Sequence, residues 1–552
     1  MRKIVIWLIL LLFVLSGCLA PPTIAQPISD FGMDLLVPGA SLESNLEPEE
    51  EKPTIPVVGG ELNIAVPLPR TLNPLLNSDP GVDEFLRLIF EPLVIFDEFM
   101  KPAANPAIVQ SIVFAPDGRS LTITLRDNVF WEDNSPITAA DIAFSIDFLR
   151  FTAPQSALYK NNALAIASHS IQNNRNIQLN FNSPMWHMKY MLNFPVIPAD
   201  YYRTSTMSDI RSARNMHPLG NGPFRFHSYE LANSLTLIPN QNAPAGRPFI
   251  SKITALVMRD ELGETYAFEQ GIVDVSVGSP SDFGRHSANG KNRASQFNVN
   301  DFDFIGFNFR RTIFADIAIR EAIAHSFDYN EAINRYFDYD LVAQAPINPA
   351  SWLFEDDLLK YSYEPEKAAE IFASLGFTKG ADGFFERVIS EILPPLRLSM
   401  TIIVNQDNAQ GMGISKILQS GLIEVGVDTT LEILPFDDFR TRLSLGDFDI
   451  MVGTLSFFST PSSDFLHSGS SNNMLRYNSS ELDNIINSMF SASNEAIFEQ
   501  AAINMQHYIA DNLPILGVAF RRKMLFTSGF VHGNIIARQG HIFINANQWF
   551  IQ

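Results

Sequence analysis

The pattern of apolar and polar positions changes period several times along the chain, and each change marks an element. From Glu61, ELNIAVPL alternates as a half-buried strand. Val82, Phe85, Leu86, Leu88 and Ile89 then follow helical spacing. Ser111 to Phe114 and the alternating run Ser120 to Leu125 flank Pro116-Asp117-Gly118, which predicts a β-hairpin. Thr138 stands ahead of Ile142, Ser145, Ile146 and Leu149, the pattern of an amphipathic helix with a threonine N-cap.

The run from Phe302 to Ile333 is the most structured. Phe304, Ile305, Phe307 and Phe309 crowd a segment too apolar on both faces for an exposed sheet, so a buried strand is expected. Asp316 can cap a helix whose buried face is Ile319, Ala322, Ile323 and Phe327, and Asp328 with Glu331 has the form of a capping box opening a second helix. On pattern alone this is either a crossing between two lobes or an ordinary strand and helix within one domain.

Length and composition narrow the class. A chain of 552 residues exceeds one core, and 46% hydrophobic against 18% charged residues describes a globular protein. A net charge of −21 with no clustered Lys and Arg argues against a nucleic-acid surface. Arg2 and Lys3, the short apolar run Ile4 to Leu15 and then Leu15-Ser16-Gly17-Cys18 look like a bacterial lipoprotein signal over residues 1–17, with lipid on Cys18; an ordinary secretory signal or an uncleaved anchor is the alternative. Cys18 is the single cysteine, so no disulfide forms within the chain. Residues 18–60, rich in Pro, Ser and Glu and including Glu49-Glu50-Glu51, are expected to form a flexible acidic tether.

An ordered series of segments carries a family resemblance. TLNPLL, IFEPLV, KPAANPAIV and PDGRSLTITLRDNVFWEDNSPITAADIAFSI are followed by Pro218-Leu219-Gly220-Asn221-Gly222-Pro223-Phe224, in which Asn221 stands where a GTGP turn has Thr. Asn308, Ile319-Arg320-Glu321-Ala322-Ile323, Phe327-Asp328 and Tyr363-Glu364-Pro365-Glu366-Lys367-Ala368 continue it. Over about residues 61 to 552 the chain resembles the extracellular solute-binding proteins of family 5, the oligopeptide- and dipeptide-binding group serving ABC importers. The resemblance implies an α/β, two-lobed fold like that of periplasmic binding proteins, with a discontinuous first lobe, an inserted subdomain and a hinge of two crossing strands. Lobe I would comprise 61–95, 216–303 and 511–552, the inserted subdomain 96–215, and lobe II 304–510, with the return crossing at Asn512 to Leu516. It further implies a monomer that captures a peptide or other small organic solute between the lobes, with permease subunits as partners, attachment to the membrane through Cys18, and no cofactor.

Catalytic patterns do not emerge: HExxH, CxxC, Walker A and GxSxG are all missing from the sequence. Candidate binding residues come from the resemblance. In peptide-binding relatives the stretch matching Gly453 to Pro461 looks like GWxxDYxDP, its aspartate meeting the ligand's α-amino group. Here Thr454 replaces the tryptophan, Phe457 the aspartate, Phe458 the tyrosine and Thr460 the second aspartate. Thr454, Phe457 and Phe458 are expected to line the cleft, with Trp352 as an aromatic wall and Arg310 as an anion contact. The amine's counter-charge would have to come from Asp464 or another cleft acid. A surface sensor built on the same scaffold without transport is the alternative function.

Overall fold

The computed structural model describes residues 55–552 apart from 204–209, 288–289, 337–340, 357, 359–360, 391 and 458–463. The expected signal, Cys18 and most of the tether therefore lie outside the described residues, as does Phe458.

Glu61–Pro67 buries Leu62, Ile64 and Val66 on one face, as its alternation requires, and pairs in parallel with Lys252–Met258. A parallel pair cannot be closed by a tight turn, and Glu61 and Lys252 lie 191 positions apart in sequence. Ser234–Pro239 and Phe224–Glu230 complete that sheet. The intervening chain includes the expected hairpin, Val109–Phe114 with Ser120–Leu125, extended by Asn176–Asn180 and Ser168–Ile171 into a four-stranded antiparallel sheet.

The largest sheet has seven strands, in the order Val275–Gly278, Ile515–Ser528, Asn292–Phe307, Ile450–Ser456, Ser399–Asn405 and Asp428–Leu434, with Leu341–Val342 added on Ile515–Ser528. Asn292–Phe307 and Ile515–Ser528 run antiparallel and join two cores. At one end Phe297, Val299 and Leu525 share a core with Leu62 and Ile253; at the other Ile305, Phe307, Leu516 and Val518 pack with Ile323, Ile402 and Leu418. The ladder between them is interrupted. Asn292 to Asn298 pairs with Ser528 to Arg522, pairing resumes at Phe302 opposite Phe520, and a second irregularity follows Asp303. Interrupted pairing leaves less backbone hydrogen bonding to resist bending, so residues 299–301 are where the crossing can flex. The fold is thus α/β and two-lobed, with two crossing strands.

Two element boundaries differ from expectation. The outbound strand begins at Asn292, ten residues before Phe302, and ends at Phe307, leaving Phe309 outside it. The return strand does not include Asn512, which closes the helix Glu495–Asn512. Leu513 follows in the left-handed region (φ 43°) and Pro514 cannot extend a helix, so the strand starts at Ile515 and runs on to Ser528.

Local capping follows the sequence. Asp316 accepts from the Ala318 N–H at the start of Ile317–His325, Asp328 from the Glu331 N–H ahead of Tyr329–Tyr336, and the Asp141 carboxylate from the Thr138 N–H. The helix near Phe85 is shorter than its apolar pattern, ending at Leu86, because Leu88 and Ile89 turn to meet the Gly220-Asn221-Gly222 loop. There the Gly222 N–H donates to the Ile89 carbonyl at 2.7 Å, and a side chain at Gly220 would overlap that oxygen.

Candidate functional site

Strand alternation sorts the charges at the crossing. Phe302, Phe304 and Phe520 stack on one face, with ring centroids 5.9 and 4.9 Å apart. Asp301, Asp303 and Arg521 therefore share the other face. Neighbouring Ile450–Ser456 sets Thr454 opposite Asp303 and Ser456 opposite Asp301.

Around Asp303 the polar groups satisfy one another. Its side chain is fully buried, and Arg521 clamps it in a bidentate pair, Nε to Oδ2 at 2.6 Å and Nη2 to Oδ1 at 2.7 Å. Arg521 Nη2 also donates to Asn408 Oδ1 at 2.8 Å and Thr454 Oγ1 at 2.9 Å. The Thr454 hydroxyl donates to Asp303 Oδ1 and accepts from Asn408 Nδ2 at 3.0 Å. Burial raises the Asp303 carboxyl above its ordinary range, opposed by Arg521 and by the Thr454 hydroxyl. Because Asn408 caps the helix Ala409–Val425 through the Gly411 N–H, the network ties that helix start to both crossing strands.

A cavity of about 720 Å3 lies over this face. One wall comes from the helix Glu261–Glu269 and the segment Val277 to Arg285, the other from Arg335, Tyr336, Ala409 and Gln410, and the floor from Asp301 and Arg521 to Lys523. Its charged lining is Arg285, Arg335, Arg521, Arg522 and Lys523 against Glu261, Asp282 and Asp301. The size suits a small organic ligand. A smaller cavity of about 380 Å3 adjoins it through Lys523 and contains Glu84, whose carboxyl burial pushes up to about 8 although it accepts from the Ile542 N–H. Among the described residues, no group of three or more His, Cys, Asp or Glu is placed to hold a metal ion.

The residues singled out in sequence are dispersed. Thr454 does not line the cavity, its hydroxyl being used in the Asp303 network. Phe457 is buried, its N–H donating to the Asn300 carbonyl and its carbonyl accepting from Gln539 Nε2. Arg310 reaches the Leu443 and Ser444 carbonyls at the end of the helix Phe436–Leu445. Asp464 accepts from Asn472 Nδ2. Trp352 donates from Nε1 to the Tyr190 hydroxyl at 2.9 Å and lies 5.9 Å from the Trp186 ring. Asp301, Asp303, Asn408 and Arg521 were not anticipated. The available signal was charge inside an apolar strand: Asp-Phe-Asp at 301–303 and Arg-Arg-Lys at 521–523.

A second contact joins Lys101 and Trp186 to Trp352 and the helix Glu495–Asn512. Trp186 packs on Phe498 at 5.0 Å, and Lys101 pairs with Glu495 at 2.5 Å while its ammonium sits 4.3 Å from the Trp352 ring centroid. The Trp186 N–H donates to the Ala492 carbonyl and the Trp352 N–H to the Phe99 carbonyl.

Comparison with known proteins supports this architecture. Residues 103–474 match the family model described as bacterial extracellular solute-binding proteins, family 5 middle. The chain is 22% identical over 487 residues to the oligopeptide-binding protein AppA of Bacillus subtilis, covering 83% of this chain and 86% of that protein. Over 451 residues it is likewise 22% identical to heme-binding protein A of Haemophilus influenzae, covering 76% and 80%. The crystal structure of the ABC transporter substrate-binding protein CtaP from Listeria monocytogenes superposes with a TM-score of 0.76 at 18% identity, over 90% of this chain and 99% of that one.

Proposed function

This chain belongs to the bacterial extracellular solute-binding proteins of family 5, and from that premise we propose that it captures a short peptide or a comparable small organic solute between its lobes, anchored to the membrane by lipid on Cys18. As a solute-binding protein of the ABC-importer type it acts outside the cytoplasm and is not an enzyme. The observation that carries the reading is the cavity of about 720 Å3 between two walls, floored by the strands whose ladder is interrupted at residues 299–301. Contacts that a solute makes with both walls exist only in the closed arrangement, and this differential affinity shifts the population toward closure. The two named relatives, one of oligopeptide and one of heme, support a solute-binding role and leave the solute to the residues of this cavity.

The domain division follows the same reading. We assign 61–95, 216–303 and 511–552 to lobe I, 96–215 to the inserted subdomain and 304–510 to lobe II, supported by the parallel pairing of Glu61–Pro67 with Lys252–Met258 and by the change of core along the crossing strands. Native mass spectrometry of the purified protein should show a retained or titratable small solute, and X-ray scattering should show contraction on binding. A broad panel of peptides and metabolites that neither binds nor contracts the protein would refute the reading.

A further inference from the structure

The break in the crossing ladder frees backbone groups at residues 299–301, and side chains from distant segments take them up. The Val299 carbonyl accepts from Asn348 Nδ2 at 3.0 Å. The Asn300 carbonyl accepts from the Phe457 N–H at 2.9 Å, which carries the pairing of Asn292–Phe307 with Ile450–Ser456 one position further. In an antiparallel pair bonded this way, the Asn300 N–H would return to the Phe457 carbonyl. Instead the Asn300 N–H donates to Gln539 Oε1 at 2.7 Å, and Gln539 Nε2 donates to the Phe457 carbonyl at 3.1 Å.

The Gln539 amide is thus inserted into the ladder in place of one backbone bond. A primary amide suits that position because one planar group carries both the acceptor and the donor that the separated N–H and C=O require. The chain presents it on a tight turn. Arg538 and His541 exchange backbone hydrogen bonds, and Gln539 and Gly540 form the two-residue turn between them, with Gly540 at φ 71°, where glycine is favoured. Charged groups surround the turn without hydrogen-bonding to Gln539: Arg538, Asp97 and Glu98 line a cavity of about 340 Å3 on one side, and Glu84 and Lys523 that of about 380 Å3 on the other.

In the division proposed above, the three joined residues have different homes. Asn300 lies at the flexible point of the outbound crossing strand, Phe457 follows Ile450–Ser456 in lobe II, and Gln539 belongs to the C-terminal segment of lobe I. A change of bend at 299–301 moves Phe457 relative to Gln539. Hydrogen bonds weaken steeply when stretched or bent, so both bonds of the amide hold over a narrow range of lobe positions.

We propose that Gln539 is a positioning residue for solute capture, its amide bridging the two lobes at the point of bending and setting the separation at which they rest. The inference rests on the two-lobed, solute-binding reading above and adds the residue that sets its hinge.

Two substitutions of similar size, made in the full chain, separate the two bonds. Gln539→Leu keeps the bulk, so direct pairing stays blocked, and loses both bonds. Gln539→Glu keeps the acceptor for the Asn300 N–H and, at neutral pH, loses the donor to Phe457. Hydrogen exchange at Asn300 should be up to about tenfold faster in Gln539→Leu, the range expected of one ordinary hydrogen bond, and unchanged in Gln539→Glu. X-ray scattering of the purified chain should show a wider average separation of the lobes in both at pH 7. In Gln539→Glu alone, the separation should return toward that of wild type as pH falls through the unperturbed glutamate value of about 4.3, because a protonated carboxyl can donate again. Asn300 protection that survives Gln539→Leu, a separation no wider than wild type in the two variants, or a Gln539→Glu separation that ignores pH would overturn the proposal. If the panel of peptides and metabolites finds no solute, the solute-binding reading falls, and the separation in these variants still decides whether Gln539 sets the hinge.

Discussion

Removing Arg521 should cost far more than removing the charge of its partner, and the burial of the two side chains gives the reason. Asp303 is fully buried, whereas Arg521 retains 22% exposure. In Arg521→Met the carboxylate keeps the Thr454 hydroxyl but loses its cation and both hydrogen bonds that it accepts from Arg521, and Asn408 Oδ1 loses a donor as well. Breaking a buried pair from this side leaves a stranded charge, at about 3–5 kcal/mol. Asp303→Asn keeps the shape and an acceptor, and Arg521 can turn toward water, so about 1–2 kcal/mol is expected. Urea titration followed by tryptophan fluorescence reads both. The pH dependence is a second signature. Burial already holds the Asp303 carboxyl above its ordinary range, and without Arg521 it rises further. A raised folded-state value means that the protonated form favours folding, so the contribution is fully present below the unfolded value of about 3.9 and is lost as pH climbs through the folded one. The Arg521→Met deficit should therefore shrink as pH falls toward about 3.9 and widen as pH rises, by up to about 1.4 kcal/mol per unit. A deficit below about 1 kcal/mol at pH 7, or one independent of pH, would refute the reasoning.

Trp186→Ala empties a buried site against Phe498 and should lower stability by about 3–5 kcal/mol, read from the urea midpoint; an unchanged midpoint would show the contact to be incidental. Glu84, pushed up to about 8, gives stability that is present at acid pH and lost between about 4.3 and 8, so Glu84→Gln should flatten the pH profile of the urea midpoint and gain on wild type toward pH 8. A parallel profile would contradict that. Cys18→Ser should move the protein from the membrane to the soluble fraction, and continued membrane retention would count against the lipid anchor.

The fold was legible where periodicity is local. Leu62, Ile64 and Val66, the hairpin at Pro116-Asp117-Gly118, and the caps at Asp316 and Thr138 each state their structure within a few residues. The length of the crossing strands was not legible, because Arg521, Arg522 and Lys523 and the polar positions between Asn292 and Asp301 break the apolar run that marks a buried strand. Of these, Asp301 and Arg521 to Lys523 line the floor of the cavity of about 720 Å3. The resemblance pointed to residues 453–461, whereas the strand pair brings Asp301, opposite Ser456, to the cavity lining. A register cannot be read from one strand alone.

Why the crossing tolerates so many charges follows from its division of labour. An apolar strand pair would be cheaper to bury, but it would offer a ligand neither charge nor a place to bend. Here the face with Phe302, Phe304 and Phe520 supplies the packing, and the opposite face spends one acid and one base on each other, Asp303 with Arg521. That buried pair fixes the geometry of the floor by bidentate hydrogen bonds and links it to the start of Ala409–Val425 through Asn408. Asp301 and Lys523 flank that pair, Asp301 accepting from the Ser456 hydroxyl and Lys523 acting on Glu84 and Glu264 of the adjoining cavity.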